Sequence, residues 1–135
     1  MADTAQTFLN YIDGAWVPCL LGSTFDNLNP ADTSDVVGRF QASGPADAEA
    51  AVQAAQKAFD AWRKTPIGKR AKILNDAATY IEQHADQFAQ ELTREEGKQL
   101  AQAKDEFLRS AQTFRFYATE GQTYGGETYP QDDPN

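Results

Sequence analysis

Between residues 67 and 92 apolar side chains fall at Ile67, Ala71, Leu74, Ala78, Ile81, Ala85, Phe88 and Leu92, in alternating steps of four and three. This spacing keeps one face of a helix apolar over many turns. Alanine alternates with large residues along most of the seam. A long coiled coil needs larger knobs at these positions. Small residues instead let backbones approach, so the pattern predicts close helix–helix or helix–sheet packing. A break near His84–Asp86 divides the stretch into two helices.

The alanine habit extends through the whole chain. There are 22 alanines, while Leu, Ile, Val and Phe together make only 24 of 135 residues. That share is low for a self-sufficient globule, because alanine buries little area and contributes little to a core. Either the domain is a loose helical one or its apolar faces are meant for something larger.

The length fits one domain and is too short for two ordinary ones. Lys plus Arg number 12 and Asp plus Glu 20, a formal charge of -8. Such a chain lacks the cationic field that nucleic-acid phosphates or an acidic membrane surface would attract. No run of about 18 apolar residues is present to cross a bilayer. With Asp3 and no basic or apolar leader region, no signal peptide is visible. A single cysteine makes no internal disulfide, which fits a reducing compartment and a cytoplasmic protein.

Three zones differ in texture. Residues 1–44 hold short apolar segments cut by turns. Strands are expected at about 8–12 and 15–18 around Asp13-Gly14, a hairpin-turn pair. Further strands are expected over Phe25–Leu28, closed by Asn29-Pro30, and over Val36–Ala42. Residues 45–124 are helical. Pro45 suits a first helical turn, where Asp47 and Glu49 meet the positive end of the dipole. Val52, Ala55, Phe59 and Trp62 form its stripe, and Arg63 and Lys64 close it. Thr65 as N-cap and Pro66 at the first helical position are expected to open the next helix. Gly97 marks a helix C-terminus. A last helix carries Leu100, Ala103, Phe107, Ala111, Phe114, Ala118 and Gly121, and stops before Gly125-Gly126. Residues 125–135 begin a link, with a short strand and polar turns expected from Glu127 to Asn135.

Residues able to do chemistry are few. Cys19 has no helix N-terminus or cation beside it in sequence to activate its thiol, and reads as an inert structural cysteine. His84, the only histidine, reads as a surface or helix-terminal residue, since one histidine makes neither a His-rich metal site nor a triad. Glu95-Glu96 and Asp132-Asp133 are adjacent acids. Neighbours on a helix do not face one another, so Glu95-Glu96 reads as a solvated face. Gly121 to Gly126 holds three glycines but lacks the strand before and helix after that make a phosphate cradle. Gly97-Lys98 is no phosphate loop, because Leu92 stands where its first glycine belongs and Gln99 follows the lysine. Phe107 and Phe114 share a helix face and read as packing residues. With only Arg109 and Arg115 among them, Phe114, Phe116 and Tyr117 are poor candidates for base stacking. No catalytic, cofactor-binding or metal-ligating residue is therefore assigned.

The order of landmarks resembles the NAD(P)-dependent aldehyde dehydrogenase superfamily. Asn10-Tyr11-Ile12-Asp13-Gly14-Ala15-Trp16-Val17 resembles its opening motif, and Asn29-Pro30-Ala31 with Val36-Val37-Gly38 its next landmark. Ala50 to Phe59 with Ala61-Trp62 resembles its first helix. Arg70, Ile73 and Leu74 resemble the start of the second, and Glu96-Gly97-Lys98 its end. Glu127-Thr128-Tyr129-Pro130 resembles the link before the cofactor core. The resemblance covers nearly the whole chain from residue 8, and is nearest to enzymes acting on small semialdehydes such as a ketoglutarate semialdehyde.

The resemblance implies the N-terminal part of an α/β fold: short antiparallel strands followed by a cluster of amphipathic helices, with the dinucleotide core absent. The family's nucleophilic cysteine, general-base glutamate and cofactor-binding residues lie further along, so Cys19 is not that cysteine. By resemblance, the complete enzyme oxidises an aldehyde to a carboxylate. A thiolate attacks the carbonyl, hydride passes to NAD or NADP, and water resolves the thioester. This chain alone is expected to be inactive, to bind no cofactor, and to partner the remainder of its subunit in a homo-oligomer. Two other readings stay open at this point. One is a freestanding helical interaction module binding through the stripe of residues 67–92. The other is a small enzyme in its own right.

Overall fold

The computed structural model describes residues 5–126; the strand expected in residues 127–135 lies outside them. Eight elements follow one another: β1 (Asn10–Ile12), β2 (Ala15–Val17), β3 (Thr24–Asn29), β4 (Asp32–Gln41), α1 (Pro45–Lys64), α2 (Ile67–Gln83), α3 (Ala85–Glu96) and α4 (Leu100–Thr123). The strands form two separate antiparallel pairs, β1–β2 and β3–β4. In the first, Ile12 pairs with Ala15 and Asn10 with Val17. Asp13 and Gly14 between them both have positive φ, 50° and 81°. This is the turn geometry whose twist suits a two-residue hairpin, and it explains why Asp-Gly stands there.

The second pair is longer than expected. It starts from Asn29 opposite Asp32, with register irregularities on either side of Leu28. Side chains build its turn: Asn29 Oδ1 accepts from the Ala31 N–H at 2.9 Å, and Asp32 Oδ1 from the Ser34 N–H at 3.1 Å. Such local bonds are what Asn and Asp bring to turns. At the far side of β4, Thr7 bridges Arg39. Phe8 then stacks on Phe40 with ring centroids 4.9 Å apart. A Cβ at Gly38 would stand 2.5 Å from the Phe8 ring, so glycine there makes room for the aromatic.

The helices follow the predicted periods with one correction. Thr65 does not cap α2. Its N–H donates to Trp62 O at 3.0 Å and its hydroxyl to Ala61 O at 3.0 Å, so it closes α1 instead. Pro66, with ψ 137°, takes the N-cap place and offers no capping side chain. Thr65 thus lies one residue before the N-cap place of α2, and its hydroxyl hydrogen goes to α1. The break at His84 is as expected, since that residue ends α2 and opens α3. Gly97 ends α3 in the left-handed region, φ 77°, where a Cβ would cost energy.

The packed centre lies where α4 runs against α2 and α3. Its buried residues are Ala71, Ala78, Ala85, Ala89, Ala103, Ala111 and Ala118, joined elsewhere by Cys19. No large side chain is fully buried among the described residues. The alanine seams thus meet one another, and Leu74, Ile81, Phe88, Leu92 and Phe107 flank them half-buried. The interaction-module reading needed the 67–92 stripe free, and α4 occupies much of it. By contrast α1 makes its contacts chiefly with β1, and Asp47 is its only buried residue.

Candidate functional site

Two polar joints hold the strands to the helices. Arg94, in the last turn of α3, grips Asp35 of β4 with two nitrogens, at 2.8 and 2.5 Å, and donates to the Val36 carbonyl at 3.1 Å. Asn29 donates to the same carboxylate at 3.1 Å. The guanidinium, helped by Asn29, holds the Asp35 carboxyl down at about 2, below its ordinary 3.8, because both partners favour the charged form. Beside it Asn27 of β3 donates to Glu95 at 2.9 Å. Gly97 lies against Pro30, where a Cβ would come within 3.1 Å of the ring. The residues that resemble family landmarks, Asn29-Pro30 and Glu96-Gly97-Lys98, are therefore neighbours in space.

The second joint is Asp47. One carboxylate oxygen accepts from the Gly44 N–H at 2.8 Å, capping α1, and the other from the Leu20 N–H at 2.8 Å. Gln41 works in parallel: it accepts from the Cys19 N–H at 2.9 Å and donates to the Phe8 carbonyl at 2.8 Å. These bonds pin the loop after β2, while Leu20 and Leu21 stand 72% and 79% exposed at its tip.

The singled-out side chains do not converge. Cys19 is buried and its thiol donates to the Ser23 carbonyl at 3.1 Å, a packing role. His84 sits at the α2–α3 junction, with Nδ1 2.8 Å from the Tyr80 carbonyl and its ring stacked on Tyr80. Tyr80, His84, Phe88 and Phe107 form a run of ring contacts, with Phe88 and Phe107 centroids 5.2 Å apart. Phe114 lies at the edge, 36% exposed, and Phe116 and Tyr117 are exposed. Glu95 faces Asn27 and Glu96 lies 3.7 Å from Lys98. Adjacent acids thus point to different partners. Lys98 pairs more closely with Glu106, which raises the ammonium and lowers the carboxyl from their ordinary values. Arg115 similarly lowers Glu82 across α4 and α2. Asp132-Asp133 lie outside the described residues.

Chemically, these are structural ion pairs. No group of three or more His, Cys, Asp or Glu that could hold a metal occurs among the described residues. A dinucleotide needs backbone N–H groups at a glycine turn between a strand and a helix. Here Gly121 lies inside α4, with Ile67 Cδ1 3.3 Å from the place of its Cβ, and Gly125-Gly126 follow the helix end. A shallow groove along α4, lined by Lys98, Gln102, Asp105, Arg109 and Gln112, presents both signs of charge and no such turn. Among the described residues, no helix is long and apolar enough to cross a membrane.

The apolar faces expected to be meant for something larger include a bare one on α1. Val52, Phe59 and Trp62 of α1 are 61%, 58% and 45% exposed. Nearby, Tyr11 and Ile12 of the β1–β2 hairpin line an open groove against Ala51, Ala54, Ala55 and Ala58. Among the described residues this stripe is left largely uncovered.

The sequence model of the aldehyde dehydrogenase family matches residues 16–135. An alpha-ketoglutarate semialdehyde dehydrogenase of Haloferax volcanii is 39% identical over 93% of this chain and 26% of its own length. Its Bacillus subtilis counterpart is 41% identical over 95% and 26%. Among solved structures, a betaine aldehyde dehydrogenase of Staphylococcus aureus in complex with NAD+ superposes with a TM-score of 0.90 at 27% identity, over 97% of this chain and 27% of that one. An NADP-dependent enzyme of E. coli gives 0.88 at 33% identity, over 99% and 28%. The chain thus spans about a quarter of the length of the proteins it matches, and its fold is the N-terminal part of theirs. On the family match and the shared fold together, this chain belongs to the aldehyde dehydrogenase family.

Proposed function

We propose that this chain is the N-terminal scaffold of an enzyme that oxidises a small semialdehyde to its carboxylate with NAD or NADP. In this reading residues 1–44 are its leading strand region, 45–124 the helical part of its cofactor-binding domain, and 125–135 the start of the link to the core. The chain supplies no catalytic, cofactor-binding or metal residue. Its partner is the remainder of the subunit, which covers the α1 face, and the complete protein is a cytoplasmic homo-oligomer.

One observation carries the proposal: identity near 40% to semialdehyde dehydrogenases over almost all of this chain and only 26% of them. The uncovered Val52, Phe59 and Trp62 support it, since monomeric domains rarely leave a contiguous apolar face bare. The α4 packing on Ala71, Ala78 and Ala85 weighs against the module reading.

A chimera tests it. These residues replace the matching stretch of the Bacillus subtilis relative, and nicotinamide absorbance is followed with alpha-ketoglutarate semialdehyde and with succinate semialdehyde. The chimera is expected to reduce the cofactor with at least one of them, and the isolated chain to give nothing above blank. Cofactor reduction by the isolated chain overturns the scaffold reading. A chimera that is folded and inactive, beside an active parent, overturns the family role assigned to these residues.

A further inference from the structure

We draw no further inference here: the strongest candidate, the uncovered apolar face of α1 formed by Val52, Phe59 and Trp62 beside the β1–β2 hairpin, belongs to the docking face already described, and nothing in the structure shows what else would cover it.

Discussion

The two longest helices, α1 with 20 residues and α4 with 24, carry apolar stripes of the same kind and come to different ends. In α4, Ala103, Ala111 and Ala118 are essentially inaccessible, held against α2 and α3. In α1, Val52, Phe59 and Trp62 remain open to water, and the helix is attached through Asp47 and a loose contact with the first hairpin. An amphipathic pattern states that a face needs cover. It does not state whether the cover is in the same chain. The side chains differ too: α4 meets its neighbours through alanine, which fits only a close backbone approach, whereas α1 offers large residues that need a pocket.

The sharpest way to break this contrast is to overfill the alanine seam. Ala78 on α2 has no exposed surface, so Ala78→Leu forces helices apart and is expected to cost about 1–3 kcal/mol in a denaturant titration. Ala55→Leu on exposed α1 is the paired control and should stay within about 0.5 kcal/mol. Equal losses at the two sites would mean that α1 is packed as tightly as the rest. Next in size is Gly97→Ala. The left-handed backbone and Pro30 both oppose a Cβ there, and a loss of about 1–2 kcal/mol is expected from the backbone conformation alone.

Much of this was readable beforehand. The stripe of residues 67–92, the break at His84, the stop at Gly97 and the Asp13-Gly14 turn are local events, set by side-chain period and backbone preference, and all four occur in the structure. The Thr65-Pro66 reading failed because a threonine hydroxyl can close the helix behind it as readily as cap the one ahead. Which of two similar stripes is buried was illegible for a different reason: burial depends on long-range partners. The joint between Asp35 and Arg94 is long-range as well. Nothing in the sequence around Asp35 announces a guanidinium 59 residues away. The same holds for Asp47, which reads as a dipole partner and turns out to bind the Leu20 N–H too.

A milder probe acts on that joint. Arg94→Gln removes the bidentate pair that holds the β3–β4 hairpin to α3, and its effect should shrink as salt rises. The sign of the pH dependence follows from the lowered carboxyls. Asp35 ionises near 2 in the fold and near 3.8 in a free chain. Its contribution is therefore complete above about pH 4 and is lost as pH falls through 2. Glu82 and Glu106 are lowered as well and act in the same direction. Acid titrations followed by circular dichroism should show wild type losing stability over this range, with Arg94→Gln losing less because Asp35 keeps only the Asn29 hydrogen bond to favour its charged form. Parallel curves for the two proteins would show that the joint does not set the acid limit.

The smallest effect in the isolated chain is expected at Trp62, and it bears most directly on the comparison. A buried tryptophan cut to alanine typically costs about 3–5 kcal/mol. Trp62 is 45% exposed on a helix that buries little else, so Trp62→Ala here should move the unfolding midpoint by no more than about 0.5 kcal/mol equivalent. Amides of α1 should also exchange with solvent faster than those of α4, because a helix without tertiary cover opens locally rather than with the whole molecule. In the chimera, where on the proposed reading the rest of the subunit covers α1, the same substitution should be felt as a core one. A large loss already in the isolated chain would place Trp62 inside this chain's own packing and dissolve the distinction between the two helices. A negligible loss in both settings would leave α1 as a helix with a bare face that nothing in the enzyme requires.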